Sequence, residues 1–379
     1  MIKSEEFLTA LQKNNIEFFT GVPDSLLKEL CACIDDTFSS DQHVINANEG
    51  GAIALAMGYH LATGKTPLVY LQNSGLGNTI NPLLSLADKA VYSIPMLLII
   101  GWRGEPGVHD EPQHIKQGAV QNDLLTAMDI PFEIIDAIDS DTYTAKITQL
   151  LAIASQESKP VALIVRKGTF SPYTTKNSNT NLENKLPLQR EAVLEIILNT
   201  IEKDAIVVST TGKTSREIYE IRKRLHQGNE KDFLTVGGMG HCSQIALGIA
   251  LQIQNRPVYC IDGDGASIMH LGASAIIGNN APGNFKHILL NNGAHESVGG
   301  QQTVGFDIDF KAIAKACNYK SANTANDTNS LLEKLNTLKE TDGPSLLEIQ
   351  IACGSRSDLG RPTTSTLENK EMFMNWIHP

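Results

Sequence analysis

The chain has 379 residues, 41% of them hydrophobic and 19% charged, with a formal net charge of -11. This is the composition of a globular protein, long enough for two domains with full hydrophobic cores. The acidic balance argues against a nucleic-acid partner, because binding phosphate backbones takes a basic surface.

In chain order, the opening segment MIKSEEFLTALQKNN is charged and amphipathic and lacks the apolar core of a secretion signal, so a cytoplasmic protein is expected. Apolar runs at Glu17–Val22, His43–Ala47, Pro67–Leu71, Pro95–Ile100 and Val161–Val165 read as strands. Helical patterns such as Asp24–Cys33 and Glu49–Ala62 separate them, with Gly64 placed as a helix cap. The longest apolar candidate, Ile94–Ile100, is interrupted by Pro95 and suits a buried strand rather than a membrane span. Residues 103–116 hold two Gly and two Pro and read as a loop carrying Arg103, His109, His114 and Lys116.

The polar stretch 171–190 reads as a linker. The alternation then resumes, with strands at Ala205–Ser209, Phe233–Val236, Val258–Ile261, His287–Leu290 and Ser345–Ile351 and helices at Ser243–Gln254 and Ala266–Ile277. The basic run Arg222-Lys223-Arg224 fits the solvated end of a helix. The six cysteines are scattered, without C-x-x-C or Cys/His metal spacing, as in a reducing compartment. The expected class is therefore α/β: two doubly wound parallel-sheet domains, 1–170 and 191–379, with no room for a central third domain.

The densest signal runs from Tyr259 to Ser297. One strand ends in Gly263-Asp264-Gly265, a helix follows, and a second strand ends in Asn291-Asn292. In a parallel sheet both ends lie on one edge, where open α/β sheets bind ligands. Asp264 and Asn292 would offer a carboxylate and an amide oxygen to one hard cation such as Mg²⁺. Gly265 and Ala266 would present backbone N–H groups to a diphosphate.

These residues resemble the G-D-G…N-N motif of thiamine-diphosphate enzymes, here with 25 residues (266–290) between Gly265 and Asn291. The resemblance implies thiamine diphosphate and Mg²⁺ as cofactors, with Asp264, Asn292 and the Ala294 carbonyl on the metal. In Val236–His241 it implies Met239 as the residue that bends the cofactor and Gly237 as a carbonyl contact. The alternatives are an ordinary core methionine and a dinucleotide loop at Gly238-x-Gly240, which lacks the acidic ribose partner. Asn48–Ala52 with Ala56–Tyr59 resembles the pyrimidine-binding half, where Glu49 would hydrogen-bond the cofactor's aminopyrimidine; a first-turn helix acid is the alternative. In this family the Glu and the diphosphate site come from neighbouring subunits, which implies a homo-oligomer of at least two chains.

Without a central domain, the chain resembles the branch of decarboxylases that act on phosphonopyruvate, with sulfopyruvate as the alternative. Gly21–Ser25, Gln72–Asn78, Gly101–Gly107 and Asp110–His114 carry that likeness. It implies a small anionic 2-oxo acid as substrate, handled in phosphonate biosynthesis. Asp24, Ser25, Arg103, His109 and Lys116 become candidate substrate contacts, and His114 and His295 candidate proton donors beside Glu49. A helix cap at Asp24 and Ser25, a solvated loop, and a surface histidine at 295 stand as the plainer readings.

Overall fold

Short runs rich in Val, Ile and Leu become parallel strands covered on both faces; every residue of Met96–Gly101 and of Pro160–Val165 is buried. The computed structural model describes residues 1–176 and 186–378, so the middle of the expected linker lies outside the described residues. The chain divides into two compact units, Met1–Ser178 with Val298–Gln301, and Asn179–Ser297 with Gln302–Pro379.

The first unit holds strands β1 (Phe19–Gly21), β2 (His43–Ile45), β3 (Leu68–Gln72), β4 (Met96–Gly101), β5 (Phe132–Ile135) and β6 (Pro160–Val165). Their order is β2-β1-β3-β4-β6-β5, all parallel. One face packs Phe7, Leu11, Leu30 and Ile147 against Leu97 and Leu163. The other packs Ile53, Leu76 and Leu125 against Leu98 and Ile164. The described start of the expected linker lies along this unit: the Tyr173 hydroxyl donates to Asp36 at 3.0 Å and its amide to Glu29 at 2.6 Å.

The second unit holds β7 (Ile206–Ser209), β8 (Asp232–Leu234), β9 (Val258–Gly263), β10 (Phe285–Asn291), β11 (Ser321–Ala325) and β12 (Ser345–Gln350). Their order, β11-β12-β10-β9-β7-β8, is the same winding as in the first unit read from the other side. Among the described residues no helix is long and apolar enough to cross a membrane.

Four local expectations are corrected. β5 and β11 are additional strands; FEII is only partly buried and SANTA has no large apolar residue, so neither shows as an apolar run. The first expected helix starts at Lys28, because Asp24–Leu27 form a turn closed by Leu27 N–H to Asp24 C=O at 3.1 Å. The expected Ala266–Ile277 helix is two, Asp264–Met269 and Ala273–Asn280, broken at His270, whose ring stacks on His241. The 103–116 loop ends at Glu111: Pro112, with its φ already helical and no N–H to satisfy, opens the helix Pro112–Ala127. His114 and Lys116 are therefore helical residues.

Candidate active site

In the first sheet the strand order reverses between β1 and β3, and the crevice beyond their C-terminal ends is the usual ligand position of such sheets. Three segments meet there. Asp24, after β1, is fully buried and accepts from Gln72 Nε2 at 2.5 Å and from the Leu26 amide at 3.2 Å. Burial raises its pKa, with Gln72 and Arg103 pulling the other way. The cap position of the following helix is Leu27, so Asp24 is not a helix cap.

Arg103, after β4, donates to Ser25 Oγ at 2.9 Å and grips Asp110 with two hydrogen bonds, 2.8 Å from Nε and 2.5 Å from Nη2. Burial pushes Asp110 upward, but Arg103 and the amides of Glu111 and Gly104 hold it well below the usual carboxylate range. The Arg103 backbone is clamped by Asn73, whose Nδ2 donates to its carbonyl at 2.7 Å. His114 is buried, its pKa lowered by burial and by Arg103, and its Nδ1 has no hydrogen-bond partner. His109 and Lys116 are exposed. Of the four cationic candidates, the structure brings Arg103 and His114 into this cluster.

Glu49 opens the helix Glu49–Thr63, which Asn48 caps by accepting from the Gly51 amide at 2.8 Å. The carboxyl is 6% exposed and accepts from Asn78 Nδ2 at 2.8 Å. It lies directly over Gly75, where a Cβ would fall 2.1 Å from Oε1, so the close approach requires glycine there.

The second sheet reverses at the equivalent place, between β7 and β9. β9 delivers Asp264 and β10 delivers Asn292; Leu290 pairs with Gly263 in register, so both side chains leave the same edge. Asp264 is 2% exposed, accepts from the Thr303 hydroxyl, and has its Oδ1 3.5 Å from the Asn292 amide. Burial raises its pKa to about 6, with Thr303 and the amide opposing. A buried carboxyl in that state is one that a cation would restore to its charged form.

Asn292 is held by its amide nitrogen, which donates to Glu296 at 3.0 Å, while its Oδ1 accepts from the Ala294 amide at 3.2 Å. Glu296 is fixed by Arg190 at 2.7 Å and Lys213 at 2.6 Å, and Arg190 also holds Glu217. The available donors, a carboxylate, an amide oxygen and a backbone carbonyl, form an all-oxygen set that fits Mg²⁺. Met239 Cε and His295 Cε1 approach to 3.4 and 3.1 Å of where a Cβ on Gly265 would sit. His295 is kept neutral by burial, its pKa lowered to about 4. The helix after Gly263 runs only from Asp264 to Met269, shorter than expected.

Sequence reasoning passed over Asn78, Asp110, Thr303, Glu296 and Arg190 as site residues. Asn78 and Asp110 lie inside stretches already singled out, so their proximity was the available signal; Arg190, 106 positions from Glu296, left none.

Residues 3–129 match the N-terminal, and residues 210–349 the C-terminal, TPP binding domain of thiamine pyrophosphate enzymes. The chain is 35% identical to a phosphonopyruvate decarboxylase of Streptomyces viridochromogenes, covering 100% of this chain and 95% of that one. It is 34% identical to a phosphonopyruvate decarboxylase of Streptomyces hygroscopicus, over 98% and 93%. A sulfopyruvate decarboxylase of Methanosarcina acetivorans is 25% identical, over 93% and 92%.

Proposed function

We propose that this chain, which belongs to the thiamine pyrophosphate enzyme family, decarboxylates phosphonopyruvate to phosphonoacetaldehyde and CO₂ with Mg²⁺, as a step of phosphonate biosynthesis. The observation that carries this reading is the likeness to two phosphonopyruvate decarboxylases at 34–35% identity over nearly the full length of every chain. A sulfopyruvate decarboxylase of similar length is 25% identical, and separate sulfopyruvate decarboxylase subunits match at 32–36% over only 35–43% of this chain. Sulfopyruvate, whose sulfonate offers a similar set of oxygens, is the second reading.

When bound, thiamine diphosphate supplies the carbon nucleophile and the electron sink for loss of CO₂. Asp264, Asn292 and the Ala294 carbonyl would hold Mg²⁺ against the diphosphate, with Gly265 and Ala266 leaving room for close backbone approach. Met239 and the Gly237 carbonyl would shape the cofactor's seat. Glu49, steered by Asn78, would hold a proton at the pyrimidine ring nitrogen. Arg103, pre-set by Asp110, keeps one N–H on each Nη for the substrate's anionic group, with Asp24, Ser25, His109 and Lys116 as further contacts. His114 and His295 are the candidate proton donors to the product carbon, each passing on a proton as imidazolium, which its lowered pKa makes readier to give the proton up, and regaining it from solvent. We take the working unit to be a homo-oligomer, at least a dimer, in the cytoplasm.

The test is kcat/KM for phosphonopyruvate, sulfopyruvate and pyruvate. Phosphonopyruvate should lead, and Arg103→Ala should lower its kcat/KM by roughly 10- to 150-fold while changing pyruvate little, the loss of one charge-assisted contact. A lead for sulfopyruvate would establish the second reading; an equal loss on all three substrates would make Arg103 structural.

A further inference from the structure

On one face of the second sheet, reaching along β9 to two residues before Asp264, four metal-ligating side chains lie in the core. Cys260 and Asp262 are two apart on β9 and so share a face. His287 on β10 sits opposite Cys260 in register. Cys242 is the first residue of the helix Cys242–Gln252, which packs on that face. All four are at most 3% exposed.

We propose that Cys242, Cys260 and Asp262 form the core of a structural Zn²⁺ site, with His287, beside Asp262, drawn in as the fourth ligand. Two of the six edges match a tetrahedron. The two sulfurs are 3.8 Å apart, and two thiolates at about 2.3 Å from one tetrahedral zinc are separated by about 3.8 Å. His287 Nε2 and Asp262 Oδ2 are 3.6 Å apart, where nitrogen and oxygen ligands at about 2.1 Å give an edge of roughly 3.4 Å. The donor atoms of Cys242, Cys260 and Asp262 all lie within 4.8 Å of one another.

The surroundings agree. His287 Nε2 is buried and faces Asp262 and Cys260, while Nδ1 is held at 3.1 Å by the Tyr319 hydroxyl, the outer contact that orients a ligating imidazole. The other Asp262 oxygen accepts from the Gly263 amide at 2.8 Å, which leaves Oδ2 for the metal. Two sulfurs suit zinc and not Mg²⁺, and four protein ligands leave no open position for catalysis. Binding releases to solvent the thiol protons and the proton that Asp262 and Cys260 favour on His287. A disulfide would need the sulfurs to close to about 2.05 Å.

The experiment is metal analysis of the purified full-length protein, dialysed against EDTA until Mg²⁺ is gone. About one zinc per chain should remain, because a closed buried site exchanges slowly, and protein grown with Co²⁺ should show the near-ultraviolet sulfur-to-cobalt band. Cys260→Ser should abolish both signals; Tyr319→Phe should retain zinc but lose it faster to chelator. Should Cys260→Ser fail to fold, the wild-type metal content and cobalt spectrum still decide. Wild-type protein with less than about a tenth of an equivalent of zinc and no sulfur-to-cobalt band overturns the site, as does an intact mass two hydrogens short at a Cys242–Cys260 disulfide. None of these readouts depends on which 2-oxo acid is consumed.

Discussion

Asp264 is the residue at which burial and charge are most directly opposed. Its carboxyl is 2% exposed, and with its pKa raised from 3.8 to about 6 its neutral form predominates in the metal-free protein below about pH 6. The stability it contributes is therefore present below pH 4 and lost as pH rises through about 6. A divalent cation reverses this by requiring the carboxylate, so below pH 6 each Mg²⁺ bound must displace the Asp264 proton. Calorimetry of Mg²⁺ binding in two buffers of different ionisation enthalpy should show about one proton released at pH 5 and almost none at pH 8, once the cofactor's own ionisation is subtracted. Equal proton release at both pH values would take Asp264 off the metal. Arg103 illustrates the opposite arrangement. Its charge is already matched by Asp110, so what it offers a ligand is two fixed N–H directions rather than an unpaired cation.

At the scale of elements, the cluster around Arg103 depends on how closely one helix approaches one turn. The helix Pro112–Ala127 lies against the turn at Gly104, which has φ +67 and whose Cβ would fall 1.9 Å from the His114 carbonyl. Gly118 faces back at the same contact, where a Cβ would fall 1.8 Å from the Gly104 carbonyl, and the Trp102 indole donates to the Gly118 carbonyl at 3.0 Å. Gly118→Ala should therefore push the helix off the turn, costing about 2 kcal/mol and lowering Tm by roughly 5 °C. Lys116→Ala, exposed two residues earlier, should melt like wild type, and thermal denaturation of both separates close packing from general helix propensity. A Gly118→Ala protein of unchanged Tm would show that the approach is loose. Pro112 reads as part of a loop in the sequence, and the closeness of this helix to the turn after β4 leaves no trace there either, because small residues at 104 and 118 carry no periodic signal.

At the scale of the whole molecule, the proposed oligomer has a direct test. Glu49→Gln and Asp264→Ala should each be inactive alone. If every working site takes its Glu49 from one chain and its Asp264 from another, mixing the two variants with subunit exchange creates hybrids with one intact site. Random pairing into dimers should then restore about a quarter of wild-type activity. Continued inactivity of a mixture shown to exchange subunits would place both residues in one chain's site.

The sequence by itself determined the class of fold and marked the candidate site positions. Fully buried parallel strands must be apolar along their length, and turns at their C-terminal ends must carry the residues that meet ligands. Gly263-Asp264-Gly265, Asn291-Asn292 and Asn48-Glu49 are therefore readable as local signatures. The tertiary structure alone decided what holds those residues in place. Asn78 reaches Glu49 across 29 positions, Arg190 reaches Glu296 across 106, and the Cys260 sulfur meets Cys242 across 18. Such partners are selected by packing between elements, which leaves no spacing rule in the chain, and so scattered cysteines become a convergent pair only once the second sheet is wound.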